Sequence, residues 1–240
     1  MMPLKEWLNS PEIKEIRKKP IGEHFEMEFS RNPFRAIHYR RDLMYSPADG
    51  VIVYAKEVSP YNDLVSIKGK PLTVREIIGD SNYKDRSIVV GIMMTVYDVH
   101  YNVMPTSGIL YYSQLPALKI ENLTMTKIEA SLLKGEEYNP DDMEYMFYNE
   151  RQICEIYSPQ LRQKYYIAQV ADFEVDVIAN YYPSGIHLKQ GVTFSLVTYG
   201  SQVDLIVPIK PYNKYELLVK DKVMWHVEAG IDALVRVVPK

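Results

Sequence analysis

Ser87-Ile-Val-Val-Gly-Ile-Met-Met-Thr-Val-Tyr97 contains the longest apolar run of the chain, and its reading decides the fold. The run from Ile88 to Met94 is interrupted by Gly91 and ended by Thr95, far short of the roughly 20 residues that cross a bilayer. Its β-branched residues instead mark a buried strand. Working outward, runs of the same texture recur from Tyr45 onward. They include Gly50-Val-Ile-Val-Tyr54, Leu64-Val-Ser-Ile67, Tyr165-Tyr-Ile-Ala-Gln-Val170, Phe173-Glu-Val-Asp-Val-Ile178, Val192 to Tyr199, Val203 to Val207 and Ala233 to Val238. Pro47-Ala-Asp-Gly50, Pro183-Ser-Gly185 and Pro211-Tyr-Asn213 supply turns between them. The twenty tyrosines suit half-buried pleated surfaces. Only Leu72 to Ile78 and Met143 to Glu150 read as helix in this region.

The first residues read differently. Leu4, Trp7 and Leu8 fall at helical spacing, and Ser10-Pro11 offers an N-cap with proline at the first helical position. Lys14, Arg17, Lys18 and Lys19 follow, and Pro20 stops the helix. Two readings fit: an interfacial helix lying on anionic lipid, or a terminal helix packed on its own domain with a solvated basic face. The expected architecture is mainly β (α+β), with a helical arm and lead-in over residues 1–44 and a β-rich domain over 45–240. Gly185 to Gly191 and Leu217 to Val223 each precede a strand in a way that looks like the turn-strand modules of compact barrel-sandwich or lipoyl-like domains.

With 240 residues, 47% apolar and 25% charged, the chain can bury a sizeable core, and it is neither disordered nor collagen-like. A net charge of −3 offers no global lure for nucleic acid. One cysteine, Cys154, excludes a disulfide framework or thiolate cluster and reads as an inert core residue. The five histidines show no metal-ligand spacing, and no glycine run resembles a nucleotide-phosphate loop. No metal is expected. With no signal-peptide pattern at the start, a cytoplasmic location is expected, with peripheral membrane contact open.

Four short segments carry the chemistry: Ser46-Pro-Ala-Asp-Gly50, Tyr97-Asp-Val-His100 with Met104-Pro105 after it, Asn149-Glu-Arg151, and Tyr199-Gly-Ser-Gln202. Singly each is ordinary, since an Asp-Gly is usually a turn and a Gly-Ser between strands usually a bulge. In this order they resemble the phosphatidylserine decarboxylase family of pyruvoyl enzymes, over about residues 32–238. The archaeal-type short members are the nearest in form. The resemblance implies a proenzyme cut between Gly200 and Ser201 into a 1–200 β chain and a 201–240 α chain. Of eleven glycines only Gly200 precedes a serine, so one such site exists.

What the resemblance implies about roles follows serine-nucleophile logic. Ser201 Oγ attacks the Gly200 carbonyl, His100 takes its proton, and Asp49 orients the imidazole. Ser201 then becomes a pyruvoyl group, an electron sink in the place that pyridoxal phosphate fills elsewhere. His100 is the natural proton donor in the decarboxylation, while Asp98 either positions it or caps the strand end. The implied substrate is the serine head group of a phospholipid at a membrane surface, with a homodimer through an exposed strand edge also plausible. A pyruvoyl enzyme for a soluble amino acid and a non-processing β-barrel binding relative are the alternatives.

The sequence departs from the family at a few places. Val103 stands where many longer members carry a second histidine. Tyr199 and Gln202 flank the Gly-Ser, Ser195 replaces an upstream glycine, and Ala168 to Asp176 is unusually acidic.

Overall fold

A computed structural model describes residues 1–20, 31–119, 121–173, 178–197 and 201–240. The chain is mostly β, with 41% of residues in strands and 14% in helices. The Ser87 run forms the strand Ser87–Met94, and every residue of it is buried. It lies in a nine-stranded antiparallel sheet between the strands Gly50–Val58 and Ser201–Pro208. Beyond Ser201–Pro208 come Gln163–Ala171, Arg151–Ser158, Gly108–Leu115 and the edge strand Ile186–Leu188. On the other flank Trp225–Val227 and Met2–Pro3 complete the order.

Burial on both faces explains why the central strands read as continuous apolar runs rather than as alternating ones. Alternation still sorts their side chains. Val89, Met93, Val170 and Ile206 join one core cluster, which also holds the helical residues Leu4, Trp7, Ile13, Ile77, Ile128 and Leu132. Ile88, Val90, Met94, Val203 and Leu205 join the other, together with Met44, Phe194, Val235 and Val237 from two small three-stranded sheets. Helices therefore cover one face of the sheet and small sheets the other. These sheets stay open; none closes into a barrel, unlike the barrel that the turn-strand echo suggested.

The N-terminal residues form the helices Leu4–Leu8 and Pro11–Ile16. Ser10 caps the second, its hydroxyl accepting from the Ile13 N–H at 3.3 Å, with Pro11 at the first position. Their apolar side chains Leu4, Trp7, Leu8, Ile13 and Ile16 are buried in the core. The stripe that an interfacial helix would turn to lipid is thus spent on packing, and the packed-arm reading holds for these helices. Among the described residues no helix is long and apolar enough to cross a membrane. Of the expected strand Phe173 to Ile178, residues 174–177 lie outside the described residues.

Candidate active site

Ser201 opens its strand deep in the sheet, opposite Ala171 on one side and Met94 on the other. It is fully buried, and its hydroxyl donates to the Met94 Sδ at 3.2 Å. A thioether is a weak acceptor, so this hydroxyl is held in place without being tied to a strong base. Gly200 and Tyr199, the other residues of the expected cut site, lie outside the described residues.

His100 sits just ahead of the strand Tyr101–Val103, which pairs with Thr193–Val197. The Val197 N–H donates to the His100 carbonyl at 3.2 Å, so the histidine lies across from the residue four positions before Ser201. Its ring is wholly buried, and burial pushes its pKa down to about 4. Nδ1 lies 2.9 Å from the Asp98 main-chain carbonyl. A carbonyl only accepts, so Nδ1 carries the proton and Nε2 the lone pair. The ring is therefore neutral and presents a basic nitrogen at neutral pH.

Asp49, expected to orient His100, makes other contacts among the described residues. Its two oxygens accept from Nη1 and Nη2 of Arg35, each at 2.5 Å, and Oδ1 also accepts the Ala229 N–H at 2.8 Å. The physical reason is proximity: the turn carrying Asp49 packs against the turn Glu228 to Gly230. The Ser46 carbonyl there accepts the Gly230 N–H at 2.9 Å. Burial lowers the Arg35 pKa, but the Asp49 contact outweighs it and raises the guanidinium above its ordinary value. The same turn reaches the histidine strand, since the Val103 N–H donates to the Pro47 carbonyl at 2.8 Å.

The glycine of this segment is required by its backbone. Gly50 has φ +148°, and a Cβ there would run into the Met93 carbonyl. Glycine lets the strand Gly50–Val58 close onto the strand that ends at Met94 under Ser201.

Asp98 is the hub of the site. Its carboxylate accepts from the Thr95 N–H and hydroxyl, both at 2.8 Å, and its Oδ1 lies 2.6 Å from His226 Nε2. Burial pushes this carboxyl up, but the His226 and Thr95 bonds prevail and its pKa lies below the ordinary range. Both expected roles for Asp98 are thus filled: the carboxylate caps the turn and the carbonyl holds His100. The imidazole of His226 stacks on Trp7, centroids 4.0 Å apart and planes at 9°. Glu129 grips the same turn from the helix Thr126–Leu133, accepting the Val96 N–H at 2.7 Å, and burial pushes its pKa up to about 7.

Arg35, His226, Trp7 and Glu129 were not singled out as site residues in the sequence. No local motif surrounds them, and the register Met2 to His226 that brings the N-terminus here spans almost the whole chain.

Asn149 and Arg151 are scaffold. Asn149 Nδ2 donates to the carbonyls of Leu123 and Ala171, both at 2.7 Å, which fixes the strand partner of Ser201. Arg151 donates to the Glu76 carbonyl at 3.0 Å. On the sheet face opposite Ser201, Asp204 accepts from the Tyr54 hydroxyl and from Gln202 Nε2, both at 2.8 Å. Burial raises its pKa to about 6. Cys154 is buried in the core, as its apolar surroundings implied.

A cavity of about 380 Å³ opens beside this arrangement, lined by Arg35, Val99, Tyr101, Val103, Thr193 and Ala229. It runs along the residues on either side of His100 and meets the ion pair of Asp49. The site thus holds a buried hydroxyl at Ser201, a neutral imidazole at His100 and a cavity along the chain neighbours of His100.

Known proteins bear on this geometry. The family model described as phosphatidylserine decarboxylase matches residues 23–232. A protein of Rickettsia typhi named phosphatidylserine decarboxylase proenzyme is 29% identical over 182 residues, covering 76% of this chain and 64% of that protein. The one of Rickettsia prowazekii has the same figures. A protein of Amoebophilus asiaticus with the same name is 25% identical over 187 residues, covering 75% of this chain and 64% of its own length. The chain thus spans a little under two thirds of the curated relatives it matches. The match embraces Asp49, His100 and Ser201 together with the strands that hold them, and the chain belongs to the phosphatidylserine decarboxylase family.

Proposed function

We propose that this chain is a self-processing, pyruvoyl-dependent carboxy-lyase that converts phosphatidylserine, or a related serine phospholipid, to the ethanolamine phospholipid with release of CO₂. The observation that carries the reading is the enclosed hydroxyl of Ser201 on a thioether, together with a neutral His100 whose Nδ1 proton is fixed by a carbonyl and whose own carbonyl accepts the N–H of Val197, four positions before Ser201. Family membership supplies the reaction class.

In processing, Ser201 Oγ attacks the Gly200 carbonyl and His100 Nε2 accepts its proton. The C–N bond breaks as the C–O bond forms, so the amide becomes an ester. Elimination then leaves a carboxylate on Gly200 and a dehydroalanine at 201, and water releases ammonia from it to give the ketone. The residues present fit a pyruvoyl group at 201, because the position is wholly enclosed and its near neighbour is the soft Met94 sulfur. That group supplies an electrophilic carbonyl that binds the substrate amine and accepts the electrons left by CO₂.

The chain's own residues do the rest. Val99, Tyr101 and Thr193 line the space for the head group. Asp49 and Arg35 hold one wall in register, and His100 moves a proton at Nε2. The protein works on the cytoplasmic surface of a membrane, where its substrate lies.

Intact-protein mass spectrometry combined with CO₂ release from phosphatidylserine tests this. The expected result is two chains of 200 and 40 residues, the division that a cut after residue 200 produces, with decarboxylation. A wild type that stays whole after prolonged incubation would overturn it.

A further inference from the structure

One segment is turned inside out for a chain in water. Residues 31–41 read Arg-Asn-Pro-Phe-Arg-Ala-Ile-His-Tyr-Arg-Arg, and residues 31–40 have no regular secondary structure. Two of the cations point inward. Arg31 donates to the carbonyl of Tyr97 at 2.5 Å and to that of Asp98 at 3.4 Å, and Arg35 forks onto Asp49. The large apolar side chain points out: Phe34 is 98% exposed. Tyr39 and Ile37 are exposed as well.

The segment is pinned along its length. The Arg40 N–H donates to Gln190 Oε1 at 2.9 Å, Gln160 donates to the Arg41 carbonyl, and the side chain of Ile37 lies over Gly191. Phe34 is therefore held at the rim of the 380 Å³ cavity beside Asp49. The next part of the segment, Tyr39 and Arg41, borders a second opening with His187 and Lys189, which sets the cations Arg41 and Lys189 next to the exposed aromatics. Apolar rings flanked by cations suit the boundary between acyl chains and anionic head groups.

We propose that residues 31–41 are the surface that seats this chain on an anionic phospholipid bilayer, with Phe34 entering the acyl boundary. The inference rests on the phospholipid-substrate reading and names the surface through which that substrate arrives. The buried stripe of Leu4, Trp7 and Leu8 excludes the first helix from this task. Insertion of Phe34 at the cavity rim brings a head group level with the cavity lined by Val99 and Tyr101.

The test is flotation of the purified protein with phosphatidylcholine vesicles, with and without phosphatidylglycerol, which is anionic but carries no serine. Binding is expected only with the anionic lipid, and it weakens as salt rises. Phe34→Asp lowers the bound fraction about tenfold, in line with the burial of one aromatic side chain. Phe34→Trp keeps binding and shifts tryptophan emission to the blue on vesicles. Arg41→Glu binds more weakly. Thermal midpoints stay near wild type, because these side chains are exposed.

Undiminished flotation of Phe34→Asp overturns the proposal. So does a wild type that ignores vesicles but self-associates through Phe34, which would make the occupant a second copy. Decarboxylation of a dispersed short-chain serine phospholipid is read separately. Its loss with flotation intact defeats the activity reading alone, and the reverse defeats only this surface.

Discussion

Asp98 joins two histidines: its carboxylate lies 2.6 Å from His226 Nε2, and its main-chain carbonyl takes the Nδ1 proton of His100. Through Trp7, stacked on His226, the N-terminal helix is part of the same assembly. Asp98→Asn keeps one acceptor oxygen and turns an N–H toward either Thr95 or His226. A buried, charge-assisted contact of this kind is worth about 2–3 kcal/mol, so the thermal midpoint falls by roughly 5–10 °C for a domain of this size. The His100 tautomer is held by the Asp98 main-chain carbonyl, which the substitution keeps, so any slowing of cleavage reports a shift of the turn rather than loss of that bond. An unchanged midpoint in a melting scan would show that the contact is idle.

The pH profile of processing reports His100 directly. With His100 as the proposed base the neutral ring would be the active form, and burial lowers its pKa to about 4. The cleavage rate therefore stays flat from pH 8 to about 5 and falls through pH 4, whereas a solvent-like imidazole would fail near 6.5. Stability shares the sign. Above 6.5 the burial of this neutral ring costs nothing in protonation. Below it the unfolded chain takes a proton that the folded one refuses, so stability falls down to about pH 4. Quenched time courses resolved on gels give the limb, and an inflection at 6.5 contradicts the assignment.

Ser201→Ala removes one hydroxyl whose described partner is a thioether. The variant folds, melts within a few degrees of wild type, remains a single chain of 240 residues and releases no CO₂. Two chains in its mass spectrum would place the cut elsewhere.

Arg35→Ala strips the Asp49 carboxylate of both its 2.5 Å bonds and leaves it buried on the Ala229 N–H. Breaking a largely buried pair from one side costs about 3 kcal/mol. Arg35→Lys recovers only part of this, because an ammonium cannot fork. Denaturant midpoints decide, and equal midpoints for all three proteins would refute the pairing.

Gly50→Ala meets both a positive φ and the Met93 carbonyl. The expected loss is about 3 kcal/mol or more, with poor soluble yield and no processing. A well-folded, self-cleaving Gly50→Ala would show that the two strands can part without harm.

What could be read in advance follows from where each signal lives. The strand Ser87–Met94 was legible because burial on both faces writes itself into adjacent side chains. The family was legible because Asp49, His100 and Ser201 each sit in a short segment whose neighbours serve the same turn or strand. His226 was not, since its partner Asp98 stands 128 positions away and nothing local marks either end. The amphipathic pattern of Leu4, Trp7 and Leu8 was seen, but lipid and protein core ask for the same stripe. The Arg35 partner of Asp49 was not legible, because it comes from a segment without regular structure, which no periodicity announces.

The pairing of Ser201 on both sides has a consequence for what a cut would do. Residues 201–208 are laced to 94–87 on one flank and, from Ser201 to Ile206, to Ala171 through Tyr166 on the other. Farther on, Trp225–Val227 pairs with the strand beginning at Gly50, and Ala233–Pro239 pairs with Leu43–Tyr45. Severing the chain ahead of Ser201 would divide the covalent molecule while leaving the fold one cooperative body, whose smaller piece escapes only by global unfolding. The new end would lie at a buried position. Plain hydrolysis would strand an ammonium there, at a cost of several kcal/mol. Expelling that nitrogen as ammonia leaves a neutral ketone, so the step that creates the electrophile also spares the sheet an unpaired charge at its centre.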